Sequence, residues 1–400
     1  MKDLVLVLLG LVFVGAVGAS AVGRPVVPAM FVLGDSTLDV GNNNHLPGKD
    51  VPRANEPFYG IDFPGGAKAT GRFSNGYNIA DFIGCNEAPR VREEPPGLPG
   101  AEITQLSHPQ RSDQRRELRT PRRDPGSSTP LKIASVARAW NCGRRCVTSP
   151  ELAEVVAWPL GSIFNAGKNI PLSKQVQYFA STKAEMEVAW GSRKVSKLIA
   201  SSFFLLGTGS NDLFQTRPKS QADVAALYAT LVSNYSAAII DLYGMGARKF
   251  GIINTGPVGC VPRVRLLNAT GACNDGMNRL GAGLATAFKS GLATALAPTR
   301  LPGLKYSLVD SFAGSQANFD NPQAAGFLNA DSACCGSGRL GAEGKCTRNA
   351  TLCSHRDAYA FFDNVHPSQR AAELSAQALF VDGPTQITTP ISFKELAHQR

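Results

Sequence analysis

A short apolar run that stops at a glycine is the feature that most constrains the fold of this chain. Phe31-Val32-Leu33 ends at Gly34 and is followed at once by the polar residues Asp35-Ser36-Thr37. An uninterrupted apolar run of this length predicts a strand that is buried on both faces. Ser36 then lies beyond the carboxyl end of that strand, where open α/β sheets bind ligands. A strand-to-loop turn built from Gly, Asp and Asn would explain the same residues without any chemistry.

Further along the chain, apolar strands alternate with helical patterns. Strands are predicted at 203–206, 249–254 and 306–309, and helices at 222–243 with Gly244 as the C-cap, at 274–296, and from Pro367 to about Phe380. Strands that alternate with helices predict an α/β fold with a parallel sheet covered on both faces.

The N-terminal residues predict export from the cell. Lys2 precedes an apolar run from Leu4 to Val17, and small residues follow it. This pattern is typical of a signal peptide, here residues 1–23, and the run is shorter than the roughly 20 apolar residues that a membrane-spanning helix needs. We therefore expect a secreted, extracellular protein with no stable membrane anchor.

The nine cysteines and three acceptor sequons agree with secretion. Oxidising compartments favour disulfides, and the cysteines near residues 260–273 and 334–353 cluster on two predicted loops. Their spacing does not match a zinc site, so we expect no metal. The sequons at Asn234, Asn268 and Asn349 are predicted glycosylation sites.

The segment at about 86–160 differs in kind from the rest of the chain. Between 86 and 145 it has twelve Lys or Arg against seven Asp or Glu, so it supplies +5 (12 − 7) of the chain's net charge of +10, and it has eight prolines. It lacks the interleaved aromatics of a nucleic-acid-binding surface, and we expect no nucleic-acid partner. It is either a disordered or solvated insert or a stretch foreign to the ancestral protein, such as a misjoined coding segment.

Three further residues complete a catalytic pattern around Ser36. Of the five histidines, His398 lies in the terminal tail and His108 in the anomalous segment, and neither His45 nor His355 has an acid placed to orient the imidazole. His366 remains, and it follows Asp363 by three residues in a loop that leads into a helix. Such an acid can fold back and orient the imidazole as a base for a serine nucleophile. Asn211 follows the predicted strand 203–206 and can donate to an oxyanion. A helix-capping histidine and an Asx turn at Asn211 are the structural alternatives.

Taken together, these motifs resemble those of the plant secreted GDSL esterase/lipases of the SGNH hydrolase superfamily. The shared motifs are Gly34-Asp35-Ser36 with Asp39 and Gly41–Asn44, Asp62-Phe63-Pro64, Thr70–Gly76, Gly209–Asp212, Gly256–Cys260, Cys334-Cys335-Gly336 before Cys346, and Asp363 with His366-Pro367.

The resemblance implies one three-layer α/β/α domain with a central parallel sheet, here residues 24–390, and no cofactor. It implies hydrolysis of carboxylic esters of lipids or acylated small molecules. By matching position, Ser36 is the nucleophile, His366 the base and Asp363 its orienting acid. Asn211 and the backbone N–H of Ser36 are the oxyanion donors. The oligomeric state stays open.

One part of the family pattern is not matched. The family takes a further oxyanion donor from a glycine in a Phe-Ala-Ser-Gly-Gly-like turn, which should fall between Ile83 and Asn165. Its nearest counterpart, Ile133-Ala134-Ser135, is not followed by glycines. Two alternatives therefore stand beside a serine esterase or lipase: a catalytically impaired or non-catalytic secreted protein of the same fold, and an acyltransferase that uses the same residues.

Overall fold

The computed structural model describes residues 26–45, 51–67, 69–85, 155–157, 161–162 and 170–399. The predicted signal peptide and most of the segment at 86–160 lie outside these residues. Within that segment, residues 155–157 are described and form a strand.

A six-stranded sheet forms the centre of the fold, in the order β12-β7-β6-β5-β1-β2. The strands are β1 (Met30–Gly34), β2 (Val155–Ala157), β3 (Gly161–Ser162), β4 (Ile170–Pro171), β5 (Phe203–Gly207), β6 (Lys249–Ile253), β7 (Lys305–Val309), β8 (Asn329–Ala333), β9 (Cys335–Gly336), β10 (Thr351–Leu352), β11 (Tyr359–Phe361) and β12 (Thr388–Thr389). The pairs from β7 to β2 are parallel, whereas β12 is antiparallel to β7.

Helices cover both faces of this sheet. They are α1 (Ile79–Cys85), α2 (Leu172–Trp190), α3 (Ser192–Ser201), α4 (Ser210–Gln215), α5 (Gln221–Gly244), α6 (Pro262–Arg265), α7 (Asp275–Ala295), α8 (Ser311–Asp320), α9 (Gln369–Ala378) and α10 (Phe393–His398).

Side-chain alternation along β1 divides the core into two layers. Phe31 and Leu33 pack with α2, α3, α5 and α7, whereas Met30 and Val32 pack with α1, α9 and α10. Successive residues of a strand point to opposite faces, so a strand with helices on both sides must be apolar throughout. The predicted α/β/α sandwich with a central, mainly parallel sheet is confirmed.

Several predicted element ends were wrong by one or two residues. Helix α5 includes Gly244, and the chain leaves it through Gly246, whose φ of 112° suits only glycine. Helix α9 begins at Gln369, because Ser368 caps it by accepting a hydrogen bond from the Ala371 N–H. Pro367 lies before the cap, bridged to Phe361, and is not the first helical residue.

Helix α5 is, among the described residues, the one helix long and apolar enough to cross a membrane by length and composition. Its buried residues Leu231, Tyr235, Ile239 and Leu242 pack into the core layer shared with α2 and α7. These contacts account for its apolar character.

Three disulfides join cysteines of the two loops that the sequence marked, and the sequence had left their pairing open. Cys260 bonds to Cys273, Cys334 to Cys353 and Cys335 to Cys346. The last two bridges lie in a small apolar cluster with Tyr59 and Phe362, next to the loop that carries Asp363.

Candidate active site

Ser36 lies in a bend just past the carboxyl end of β1. The Asp35 N–H donates to the Gly207 carbonyl (3.0 Å), and this hydrogen bond continues the pairing of β1 with β5 to the start of the bend. The Asp35 carboxylate then accepts from the Thr37 N–H (3.0 Å) and the Thr37 hydroxyl (2.7 Å). This Asx-type turn fixes the bend around Ser36. Within the described part of the chain, the Ser36 N–H makes no hydrogen bond, so it is available to a ligand.

Gln175 of α2 holds the strand that leads to Ser36. Strand β2 pairs with β1 as far as Val32, and among the described residues Gly34 has no strand partner on that side. The fully buried Gln175 amide takes the place of a partner: it accepts from the Gly34 N–H (2.9 Å) and donates to the Gly34 carbonyl (3.1 Å). The side chain also donates to the Ile170 carbonyl (3.2 Å). Sequence reasoning missed this residue.

His366 and Asp363 are brought together with Ser36. The Nε2 atom of His366 lies 2.6 Å from the Ser36 Oγ, and its Nδ1 atom lies 2.7 Å from Asp363 Oδ2. The backbone N–H groups of Val365 and His366 both donate to Asp363 Oδ1, at 2.9 and 2.7 Å. These bonds fold the four-residue loop so that the acid reaches the imidazole, as its spacing predicts.

Tyr59 adds a contact that sequence reasoning missed. Its hydroxyl donates to Asp363 Oδ2 at 2.7 Å, although 304 positions separate the two residues. The Tyr59 ring packs edge-on against Phe73 and Phe362, and Phe73 in turn lies 4.7 Å from the His366 ring, centroid to centroid. No local pattern links positions this far apart, so the sequence carries no signal for the contact.

The protonation state of the pair follows from these contacts. Burial by itself would raise the pKa of Asp363, but the charge of His366 and the hydrogen bonds from His366 and Tyr59 more than offset it and hold the pKa below its usual range. The carboxylate is therefore ionised at neutral pH and accepts a hydrogen bond from Nδ1–H. The lone pair of Nε2 then faces the Ser36 hydroxyl.

Asn211 is the second residue of α4, at the same edge of the sheet as Ser36. Strands β1 and β5 are parallel neighbours in register, with Gly34 opposite Gly207. The chain leaves β5 at Gly207 and enters α4 at Ser210, so the half-buried Asn211 lies close to the end of the neighbouring strand. This is the placement that the sequence predicts for a donor to an oxyanion.

The interval in which the resemblance places the glycine donor, between Ile83 and Asn165, lies mostly outside the described residues. The structure describes 155–157 and 161–162 within the expected interval, and β2 pairs in parallel with β1. The resemblance places a strand just before the turn that carries the glycine donor. Strand β2, beside the strand that leads to Ser36, corresponds to it in position.

The two histidines that were rejected as the base and the predicted glycan acceptors belong to other segments. His45 and His355 are exposed and belong to short 3₁₀ segments or their caps. Asn234 and Asn349 are exposed, as glycan acceptors must be, and Asn268 is half-buried with its amide oxygen accepting from Thr270.

A buried carboxylate supports the loop that follows Ser36. Asp39 is fully buried, and its Oδ1 atom accepts from the N–H groups of Gly41 and Asn42, both at 2.8 Å. Its Oδ2 atom has no hydrogen-bond partner among the described residues. Burial raises the pKa of Asp39 to about 6, against the lowering effect of the backbone donors and of Arg72.

The fold and this cluster define an α/β protein with a Ser–His–Asp constellation at the carboxyl edge of its sheet. The GDSL-like Lipase/Acylhydrolase family model matches residues 30–379. The chain belongs to this family.

Curated plant proteins are similar along most of their length. A GDSL esterase/lipase of Arabidopsis thaliana is 30% identical over 382 residues, which is 92% of this chain and 90% of the relative. A second Arabidopsis thaliana GDSL esterase/lipase is 30% identical over 392 residues, 94% of this chain and 90% of the relative. The anther-specific proline-rich protein APG of Brassica napus is 30% identical over 362 residues, 88% of this chain and 71% of the relative.

Proposed function

We propose that this protein is a secreted serine esterase or lipase that hydrolyses carboxylic esters of lipids or acylated small molecules through an acyl-enzyme. The family supports a hydrolase of this type. The observation that carries the finer proposal is the unbroken contact from Ser36 Oγ to His366 Nε2 and from His366 Nδ1 to Asp363. To act as a nucleophile, the serine needs a base that takes its proton. The acid holds the imidazole in the orientation and tautomer in which it can do so.

In the first half-reaction, Ser36 Oγ attacks the ester carbonyl carbon while His366 Nε2 takes its proton. Asp363 holds the imidazole in the required tautomer and stabilises the imidazolium that forms. The Ser36 N–H and the Asn211 side-chain amide donate hydrogen bonds to the carbonyl oxygen and stabilise the negative charge that develops on it.

The tetrahedral intermediate then collapses, and the imidazolium gives its proton to the departing alcohol. In the second half-reaction a water molecule loses a proton to His366 and attacks the acyl carbon. This second tetrahedral intermediate breaks its bond to Ser36 Oγ, the imidazolium returns the proton to Oγ, and the acid is released.

The test is hydrolysis of short p-nitrophenyl esters together with labelling by a fluorophosphonate probe. We expect turnover and a single labelled site, mapped by mass spectrometry to Ser36. Ser36→Ala should abolish both, and Ser192→Ala, which removes an exposed serine hydroxyl at the start of α3, serves as the matched control. A folded chain that neither turns over the esters nor reacts with the probe would support a non-catalytic protein and refute the proposal.

Acyl transfer to an alcohol uses the same residues, so product analysis separates it from hydrolysis. Esterase action predicts free acid as the main product in the presence of a competing alcohol. A new ester as the main product would favour the acyltransferase.

Secretion and glycosylation belong to the same proposal. They are supported by the N-terminal pattern and by the exposed positions of Asn234 and Asn349. We expect the mature chain to begin near residue 24 by N-terminal sequencing, and to lose mass when treated with an N-glycosidase.

A further inference from the structure

Arg263 is an exposed arginine attached to the loop that carries the acid and base. Its backbone N–H donates to the Asn364 carbonyl at 2.9 Å, and Asn364 directly follows Asp363. Its guanidinium makes no hydrogen bond or ion pair with any residue that the structure describes, whereas Arg72 and Arg356 both form two-point ion pairs with carboxylates.

The same guanidinium also contacts the helix that carries Asn211. It lies over the Phe214 ring, 4.9 Å from the ring centroid. Phe214 is three residues after Asn211 on α4, and residues at that spacing share one face of a helix. Arg263 therefore bridges the two halves of the site, from the acid–base loop to the element with the predicted oxyanion donor.

The charge of Arg263 is not used by the site itself. Asp363 already accepts hydrogen bonds from Tyr59, Val365 and His366, and it affects Arg263 only through its charge. Arg217 adds a second cation nearby, and its guanidinium donates to the carbonyls of Phe214 and Thr216. An arginine that lies on an aromatic ring keeps its N–H edge free, in the geometry that binds a carboxylate at two points.

We propose that Arg263 is a specificity-determining residue that selects esters carrying a carboxylate or similar anion close to the scissile bond. The anion would pair with the guanidinium over Phe214 while the ester carbonyl lies between Ser36 and Asn211. Arg217 strengthens the local positive potential. This inference rests on the proposed ester hydrolysis and adds a substrate class to it.

The experiment compares an anionic with a neutral ester in two pairs, and reads the effect of Arg263 from how each variant changes the ratio within a pair. On the alcohol side the pair is 4-acetoxybenzoate and its neutral methyl ester; on the acyl side it is mono-p-nitrophenyl glutarate and p-nitrophenyl valerate. Values of kcat/KM are measured for the wild-type chain, Arg263→Gln and Arg263→Lys. Arg300→Gln removes the same charge from an exposed loop and is the matched control.

We expect Arg263→Gln to lower kcat/KM for the anionic member of at least one pair by about tenfold, with less than about a twofold change for the neutral member. Arg263→Lys should keep part of the preference, and added salt should reduce it. Arg300→Gln should leave both members unchanged. Equal losses for charged and neutral esters, or no loss, would overturn the inference while leaving ester hydrolysis intact.

A binding measurement keeps the inference testable if the chain has no turnover. Ligand-observed NMR on Ser36→Ala should show tighter binding of 4-acetoxybenzoate than of its methyl ester, and the difference should vanish in Ser36→Ala/Arg263→Gln. The same affinity in both backgrounds would refute the role of Arg263. A failure of the neutral esters to turn over would instead count against the proposed hydrolysis.

Discussion

Replacing Tyr59 by Phe should move the pH dependence of catalysis. The change removes one oxygen and keeps the ring that packs against Phe73 and Phe362. Asp363 Oδ2 then loses its hydrogen bond from Tyr59 and retains the one from the Nδ1–H of His366. A carboxylate with one donor fewer is more basic, so it attracts the imidazolium more strongly.

The structure gives the size of this effect. At 2.7 Å in a buried setting, the Tyr59–Asp363 contact has the length of a charge-assisted hydrogen bond. Such bonds contribute about 1.5–3 kcal/mol, and losing this one raises the pKa of the Asp363 carboxyl from its lowered value. His366 experiences part of this change through its own contact with Asp363. We expect the acidic limb of the kcat/KM profile to move to higher pH in Tyr59→Phe.

The assay is the pH–rate profile for a neutral p-nitrophenyl ester between about pH 4 and 9, with thermal unfolding measured in parallel. Tyr228→Phe is the matched control, because the Tyr228 hydroxyl donates to the Leu280 carbonyl between α5 and α7. That variant should change stability alone. A Tyr59→Phe profile that overlays the wild-type profile, or the same shift in Tyr228→Phe, would refute the reasoning.

Three further outcomes are expected. Asn211→Ala should lower kcat for p-nitrophenyl esters by about 10²–10³-fold, measured by steady-state kinetics, and an unchanged kcat would remove Asn211 from the oxyanion site. Gln175→Met should leave the Gly34 N–H and carbonyl unpaired and cost about 2–4 kcal/mol in urea unfolding, with a fall in kcat; equal stability would contradict the role of the amide. Because burial raises the pKa of Asp39 from 3.8 to about 6, its favourable contribution is complete below about pH 4 and is lost as pH rises through about 6. The unfolding free energy of Asp39→Asn should therefore rise relative to wild type by about 3 kcal/mol across that interval, whereas a pH-independent difference would contradict the raised pKa.

The central strands were predicted well because each contains a run of apolar residues with few polar interruptions. Strands β1, β5, β6 and β7 were expected within one residue of their observed ends. Strand β12 and helix α10 were missed, because no element was predicted beyond about Phe380. Phe393 and Leu396 of α10 are nevertheless buried against the sheet. Such short elements form because of the surface on which they pack, which a local pattern does not describe.

Within the candidate site, the sequence predicted contacts between residues that are close in the chain or at the ends of parallel strands, but not the other contacts between residues far apart. Asp363 and His366 are three residues apart, and backbone donors fold the loop between them, so their contact follows from the spacing. Ser36 and Asn211 could be expected at one edge because parallel strands end together. Tyr59 and Gln175 act on partners 304 and 141 positions away.

The sequence by itself thus determined the order of the main strands and helices along the chain, the types of the reacting groups and the edge of the sheet at which they meet. Only the tertiary structure decided which groups support them: a phenol on the acid, a glutamine amide that pairs with the end of β1, and a guanidinium between the base loop and α4 that has no ion-pair partner among the described residues. The physical reason is that periodicity and turn chemistry act over a few residues, whereas hydrogen-bond partners in a packed core are chosen by proximity in space.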